Sequence, residues 1–461
     1  MLFSVSLFHK DSFIAFITFI AFIGAAIGVI VGIGVIIGGI IGIIVCCIGG
    51  SLAGAIIVKV LRSGRKVYCP FCFESIKLVD IQFKCKHCNT GIHRKPSWLE
   101  KCGLGSMPQS MPCPTCRKPS TFKFCPNPDC QLDLPNKIAE LSDITIAIIG
   151  ARGVGKTHYI ALLIRRIKRL ATDFKWALTP LDTETEERYK RDFEDPLFRD
   201  HETIPATNPG ERIRPLLYSL RLNGRLPNFL RCLNNFLPGW LQLKLRDKRI
   251  MLVFFDTAGE NLDKDVHEMD EINRYICNAK GIICLLDPLQ MRPVRKSLDK
   301  KIELPAMNTD TAKVITNVHR LLEHGFAVQG RKMTRNSKVP IPLAIAFSKI
   351  DTISAPARNC PSTLLADESS IYSDTRHCGY FHPGDFNNIN QEMGTWLKVV
   401  DESDDIGQPC KDFEKFAFFG VSALGANPQG GHLASDPEPR RVEDPFLWIL
   451  WKNKWIGTEG D

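Results

Sequence analysis

Between Ser12 and Val58 the sequence has no charged residue. As one helix this run of about 47 residues would reach roughly 70 Å, against a hydrocarbon core of about 30 Å, which excludes a single helix crossing once. Two spans joined by a turn near Gly38-Gly39 fit instead. A secretory signal peptide is excluded on length, since its apolar core is only about 7–15 residues. Lys10 precedes the run and Lys59, Arg62, Arg65 and Lys66 follow it. Positive flanks at both ends place both on the cytoplasmic side. The expectation is a transmembrane helical hairpin over 12–58, in contact with membrane lipid, in an inner or plasma membrane protein whose remaining regions are cytoplasmic. Glycines spaced by four (Gly24, Gly28, Gly32; Gly34, Gly38, Gly42; Gly50, Gly54) allow close helix approach within the hairpin or a homo-oligomer. Simple tolerance of glycine in membrane helices explains them equally well. The chain also lacks a periodic repeat and a lopsided charge. A net charge of +9 over 461 residues is compatible with anionic lipid or nucleic acid and demands neither.

Cysteine is what the next stretch has in abundance. Cys69-Pro-Phe-Cys72 is followed after twelve residues by Cys85-Lys-His-Cys88, and Cys113-Pro-Thr-Cys116 after eight by Cys125-Pro-Asn-Pro-Asp-Cys130. Paired knuckles at this separation supply four thiolates to Zn²⁺. We therefore expect two zinc-ribbon-like units of four cysteines each over 67–132, taken in sequence order: Cys69, Cys72, Cys85 and Cys88, then Cys113, Cys116, Cys125 and Cys130. Disulfides are disfavoured in a reducing compartment, and the spacing favours zinc over an iron–sulfur cluster. His87 and His93 lie nearby, but eight cysteines already close two sites. Closed sites of this kind are structural or partner-binding rather than catalytic. Lys84, Lys86, Arg94, Lys95 and Lys101 make the region basic. A surface near an anionic membrane accounts for that better than a nucleic-acid contact. The cysteines outside these knuckles show no ligand spacing.

Beyond it, a β-branched run from Asp143 ends in Gly150-Ala-Arg152-Gly153-Val154-Gly155-Lys156-Thr157, and an apolar-periodic helix over 158–170 follows. This is G-x-x-x-x-G-K-[ST] between a strand and a helix. Its backbone N–H groups cradle phosphates, Lys156 reaches the β- and γ-phosphates, and Thr157 ligates Mg²⁺. Residues 171–240 are a long segment with few clear elements. A hairpin is expected between 241–245 and 249–255, whose second strand ends in Asp256-Thr-Ala-Gly259. A carboxylate there can hold Mg²⁺, and Gly259 can offer its N–H to a γ-phosphate. Strands over 281–286, 341–347 and 416–421 follow, separated by helices near 266–279, 309–324 and 385–400. Strands alternating with helices imply an α/β doubly wound, mostly parallel sheet with ligands at the strand carboxyl ends. All the motifs fall there. The closing amphipathic segment, with Phe446, Leu447, Ile449, Leu450 and Trp451, reads as a core-packing helix.

Gly150–Thr157, Asp256–Gly259, Ser348–Asp351 and Ser422–Leu424 stand in the order of the phosphate loop, D-x-x-G, N/T-K-x-D and S-A-x motifs, so that 143–455 resembles a Ras-like, translation-factor-class P-loop GTPase. The resemblance implies that Asp351 accepts hydrogen bonds from the guanine N1–H and amine, that Lys349 lies along the ring, and that the Ala423 N–H meets O6. Ser348 stands where Asn or Thr is usual. Glu260 follows the D-x-x-G in place of the water-orienting Gln, so slow hydrolysis is expected, with Lys156 and Glu260 as candidate catalytic residues. The excess length over a minimal domain lies in 171–240, where Thr207 is the candidate switch threonine for Mg²⁺ and Thr203 the second choice. With its zinc and membrane additions the chain is similar to the double-GTPase families of bacterial conflict and defence systems, which implies a protein regulator or effector. The expected function is a membrane-anchored, slowly hydrolysing GTP switch. The alternatives are a P-loop ATPase in transport or remodelling, against which Asp351 and the lack of a strand-end glutamate beside Asp256 argue, and a zinc-ribbon scaffold with a regulatory nucleotide site, against which Lys156, Thr157 and Asp256 argue.

Overall fold

The computed structural model describes residue 18, residues 22–24 and most of 66–459, except 93, 96, 98–106, 137, 139–141, 144, 206–213, 223–247, 256–270, 299–303, 308–310, 332, 334–335 and 337. The chain forms two compact units, Met1–Arg65 with Lys77–Val79 and Lys95–Pro108, and Lys66–Ile76 with Asp80–Arg94 and Gln109–Asp461. In the first unit, residues 18 and 22–24 are helical. The expected membrane hairpin over 12–58 otherwise lies outside the described residues. Among the described residues no helix is long and apolar enough to cross a membrane. The membrane localisation inferred from the uncharged run is therefore corrected: absence of charge makes a segment compatible with lipid but does not by itself make a spanning helix.

In the second unit the sheets form as the apolar runs dictate. We label β1 (Ser142–Asp143), β2 (Ile146–Gly150), α1 (Lys156–Leu170), β3 (Ala177–Pro180), α2 (Thr183–Tyr189), α3 (Asp195–Phe198), β4 (Leu216–Leu222), β5 (Lys248–Phe254), α4 (Glu271–Cys277), β6 (Gly281–Leu286), α5 (Arg292–Ser297), α6 (Thr311–Val328), β7 (Leu343–Phe347), α7 (Pro383–Val400), β8 (Phe416–Gly420) and α8 (Asp444–Lys452). One sheet has the order β2-β6-β7-β8 and is parallel throughout. Every residue of β2, β6 and β7 is buried, as unbroken apolar strands covered on both faces must be. Alternate side chains divide between two cores. Ala147, Ile149, Ile282 and Cys284 pack with α4, α6 and α7. Ile146, Ile148, Ile283 and Leu285 pack with α1 and with Phe446–Leu450 of α8. Burying each large side chain stabilises by about 1.5–3 kcal/mol, which is why α8 reads correctly as core.

A second sheet runs β3-β4-β5-β1. β3, β4 and β5 are antiparallel neighbours, and β5 pairs with β1 in parallel. The described partner of β5 is thus β4, seven residues in register from Leu216↔Phe254 to Leu222↔Lys248, not the expected 241–245, which lies outside the described residues. The stretch read as having few elements holds β3, α2, a π-turn over Lys190–Glu194, α3 and β4. α2 is capped by Asp182, whose side chain accepts from the Thr185 N–H.

β5 lies beside β2. On β2 itself a side chain of α4 takes a strand-like pair of bonds. The Tyr275 hydroxyl of α4 donates to the Ile146 carbonyl (3.0 Å) and accepts from the Ile148 N–H (3.3 Å). One residue of a parallel neighbouring strand would take that same pair of groups.

Candidate nucleotide-binding site and cysteine clusters

At the carboxyl end of β2 the chain must turn sharply without side chains in the way. Gly153 and Gly155 have φ of 75° and 88°, the left-handed region that favours glycine. A Cβ on Gly150 would lie 2.7 Å from Val154 Cγ1 and 3.0 Å from the Leu285 carbonyl, so that glycine is needed for close approach. Lys156 opens α1 and is buried, Val154 is buried beneath the loop, and Arg152 is exposed. A fifteen-residue helix begins at the loop, so the partial positive charge of its N-terminus suits an anion there.

The strand ends beside this loop bring the base-recognition candidates together. Lys349, itself left-handed at φ 54°, donates from Nζ to the Gly153 carbonyl (2.9 Å) and to Asp287 Oδ2 (2.7 Å). Asp287 is buried at the end of β6 and accepts from the Leu289 N–H (2.9 Å). One ammonium therefore ties the phosphate loop to two strand ends. Ser422 Oγ donates to Asp351 Oδ1 and accepts from the Gly425 N–H (3.0 Å). With its single proton committed, it orients the carboxylate. Ser348 is buried and donates from Oγ to the Leu286 carbonyl (3.2 Å). Tyr372 Oη donates to the Ile350 carbonyl (2.9 Å), holding the turn that carries Asp351.

Thr207, Asp256, Gly259 and Glu260 lie outside the described residues. Thr203 is described, and its N–H donates to the Gly431 carbonyl (2.8 Å). The neighbouring Ile204 N–H donates to His158 Nε2 (3.1 Å). Burial first, and then the Lys349 charge, hold His158 down to about 4, so it is a neutral acceptor one residue past Thr157. Asp287, His158 and Tyr275 went unassigned in the sequence. Asp287-Pro288 at a strand end was the one available signal.

The base end is braced from behind by an ionic cluster that no motif announces. Arg441 is buried and donates to Asp385 Oδ2 (3.0 Å), Asp444 Oδ2 (2.9 Å) and the carbonyls of Ile371 (3.1 Å) and Ser370 (3.0 Å). His377 Nδ1 accepts from the His382 N–H (3.0 Å), and its Nε2 lies 3.9 Å from Asp444 Oδ1. His377, Asp385 and Asp444 converge closely enough to hold a cation, but the guanidinium already occupies their shared face. Burial holds His377 down to about 4 and pushes Asp444 up to about 6.

The eight knuckle cysteines do converge, but not in sequence order. Cys69, Cys72, Cys125 and Cys130 form one group, and Cys85, Cys88, Cys113 and Cys116 the other. The outer pairs combine and the inner pairs combine, which corrects the expected partition. Pairing of 82–84 with 123–124, Phe83↔Lys123, is what nests them. Sulfur separations of 3.8–3.9 Å in the first group and 3.4–3.9 Å in the second match the edge of about 3.8 Å that Zn–S bonds of about 2.3 Å define in a tetrahedron. In the first group hydrogen bonds from Cys125 and Cys69 hold the Cys72 thiol well below the usual thiol range. The donor set fits a tetrahedral thiophilic cation. His87 is exposed and belongs to neither group. All four knuckles use one turn: the residue after the second cysteine is left-handed at Phe73 (54°), Asn89 (56°), Arg117 (58°) and Gln131 (46°).

No family model matches the chain. Over 344 residues it is 26% identical to a Mycolicibacterium smegmatis protein named "Putative ESX-1 scaffolding and assembly protein SaeC", covering 70% of this chain and 78% of that one. Among solved structures it is similar to the Arl6 BBS3 small GTPase of Trypanosoma brucei with bound GppNp (11% identity, 68% of this chain, 100% of that chain, TM-score 0.26). It is similar also to the signal recognition particle receptor SRb-GTP/SRX complex of Chaetomium thermophilum (13%, 68%, 97%, TM-score 0.26). At these values the sheet order and strand ends of the chain itself, not the superpositions, carry its assignment to the phosphate-loop α/β fold.

Proposed function

We propose that the chain is a guanine-nucleotide-binding switch that hydrolyses GTP slowly and carries two structural zinc sites. The observation that carries this is the pair of contacts at the strand ends: Lys349 joined to the Gly153 carbonyl, and Asp351 oriented by Ser422. A carboxylate fixed beside the loop accepts two donors from guanine and rejects adenine, which lacks both. Gly150–Thr157 supplies the phosphate cradle, Lys156 the charge, Thr157 with Asp256 and Thr207 the Mg²⁺ ligands, and Ala423 an N–H for the base. Glu260 in the water-orienting position argues for slow turnover, because its charge opposes the γ-phosphate. The name of the Mycolicibacterium relative speaks of scaffolding and assembly, and the double-GTPase resemblance of a regulated partner. Both support a protein effector for the switch. Competition on the purified chain tests the reading: GDP and GTP should displace a fluorescent guanine nucleotide while ATP does not, and a preference for ATP sinks it. Asp351→Asn should shift preference from guanine to xanthine nucleotides by at least about tenfold, the 1.4 kcal/mol of one good hydrogen bond. Unchanged GTP affinity would remove Asp351 from the base site.

A further inference from the structure

The four knuckles share one backbone turn and differ in what the left-handed residue does. Asn89, Arg117 and Gln131 are exposed, whereas Phe73 is 1% exposed. Its ring packs against Tyr275 (centroids 4.9 Å) and Phe255 (5.6 Å), which pack against each other (5.5 Å). A bulky residue at positive φ is an outlier that persists only when its surroundings over-determine it. Here they do, on both sides. Behind Phe73, Cys69 and Cys72 belong to the outer cysteine group. Ahead of it α4 and the residue just past its end grip the same turn by two side chains: Arg274 Nε donates to the Cys72 carbonyl (3.0 Å) and Asn278 Nδ2 to the Phe73 carbonyl (3.0 Å). Between those two residues on α4 sits Tyr275, whose hydroxyl holds Ile146 and Ile148 of β2. β2 runs directly into Gly150.

We propose that Phe73 is a positioning residue for the phosphate loop, through which metal held by Cys69, Cys72, Cys125 and Cys130 and nucleotide held by Gly150–Thr157 strengthen each other's binding. The proposal rests on the metal and nucleotide readings above. A metal fixes the left-handed turn and therefore the pose of the Phe73 ring. The ring and the two hydrogen bonds fix α4, and Tyr275 passes that pose to the strand that aims the loop. Linkage requires the effect to be mutual, so bound nucleotide must slow metal loss by the factor by which metal raises nucleotide affinity. The inner group, whose knuckles end in the exposed Asn89 and Arg117, has no such path and is the internal control.

The test uses the full chain loaded with zinc and two readouts: affinity for a fluorescent guanine nucleotide with Mg²⁺, and zinc transfer to the chelator 4-(2-pyridylazo)resorcinol with and without GDP. Two release phases are expected, of which GDP slows one, the phase missing in Cys72→Ser. Phe73→Ala should abolish that slowing and weaken nucleotide binding about tenfold, within the usual range of coupling between sites. Phe73→Leu should restore part of both, and Arg117→Asn should change neither. Because truncating a buried ring could unfold the chain, Arg274→Met is a second variant: it removes the donor to the Cys72 carbonyl, leaves the three rings in place, and should act in the same direction with smaller size. Zinc release indifferent to nucleotide in a chain that binds both, or a folded Phe73→Ala with unchanged affinity and coupling, overturns the proposal alone. A chain that binds guanine nucleotide but takes up no zinc when zinc is offered overturns the metal reading and the proposal with it. A chain that binds zinc without nucleotide overturns the switch reading and the proposal with it.

Discussion

The two ends of the candidate nucleotide site are braced by different chemistry. Beneath the phosphate end, four thiols and an aromatic triad lock α4 to β2. Behind the base end, Arg441 gathers two carboxylates and two carbonyls, and so fixes the loop whose Tyr372 holds Ile350. On the zinc reading proposed above, the first brace is completed by an exchangeable ion, whereas the second is made by the chain's own side chains and carbonyls. On that reading the base end is the fixed jaw and the phosphate end the adjustable one.

Breaking the adjustable jaw should have the largest effect. Cys72→Ser removes a ligand of the outer group, and since structural metal binding contributes folding free energy, the main thermal transition should fall and guanine-nucleotide affinity drop by at least about tenfold. Cys116→Ser, which removes a ligand of the inner group, should lose one zinc by metal analysis while calorimetry shows the main transition close to wild type. Equal effects of the two would erase the distinction drawn between the groups. In the fixed jaw, Arg441→Met leaves Asp385 and Asp444 buried without their cation, and urea unfolding should show a loss of about 3–5 kcal/mol. A loss under about 1 kcal/mol would mean that the guanidinium is dispensable there. The last effect concerns pH. His377 is held neutral, so its contribution is complete above its unfolded pKa of about 6.5 and is lost as pH falls towards its folded value of about 4, because only the unfolded chain takes up the proton. The stability of His377→Gln relative to wild type should therefore rise by up to about 1.4 kcal/mol per pH unit on going from pH 6.5 to 4, in parallel urea titrations. A constant difference would show that His377 titrates alike in both states.

Legibility in the sequence followed locality. The phosphate loop, α1, β6 and the strand ends at Ser348–Asp351 and Ser422–Leu424 were readable because each is fixed by residues within a few positions of one another. The knuckles were readable for the same reason, and their partition was not: Cys69 and Cys72 have acceptable spacing to either later pair, and the choice is made by Phe83 pairing with Lys123. Arg441 and Tyr275 act on groups far away in the chain, Asp385 and Ile371 in one case and Ile146 in the other, and carry no periodic or spacing signal. Ser12–Val58 misled in the opposite way. Its composition is a strong statement about solubility in lipid and a weak one about which structure uses it.

The hydroxyl of Tyr275 has a mechanical consequence. A backbone ladder resists bending because its bonds share load along the whole strand, whereas the one hydroxyl that takes both Ile146 and Ile148 is a single stitch of α4 to β2. Tyr275→Phe unpicks the stitch without emptying the aromatic triad, and faster amide exchange at Ile148 than elsewhere in β2 would be its first sign.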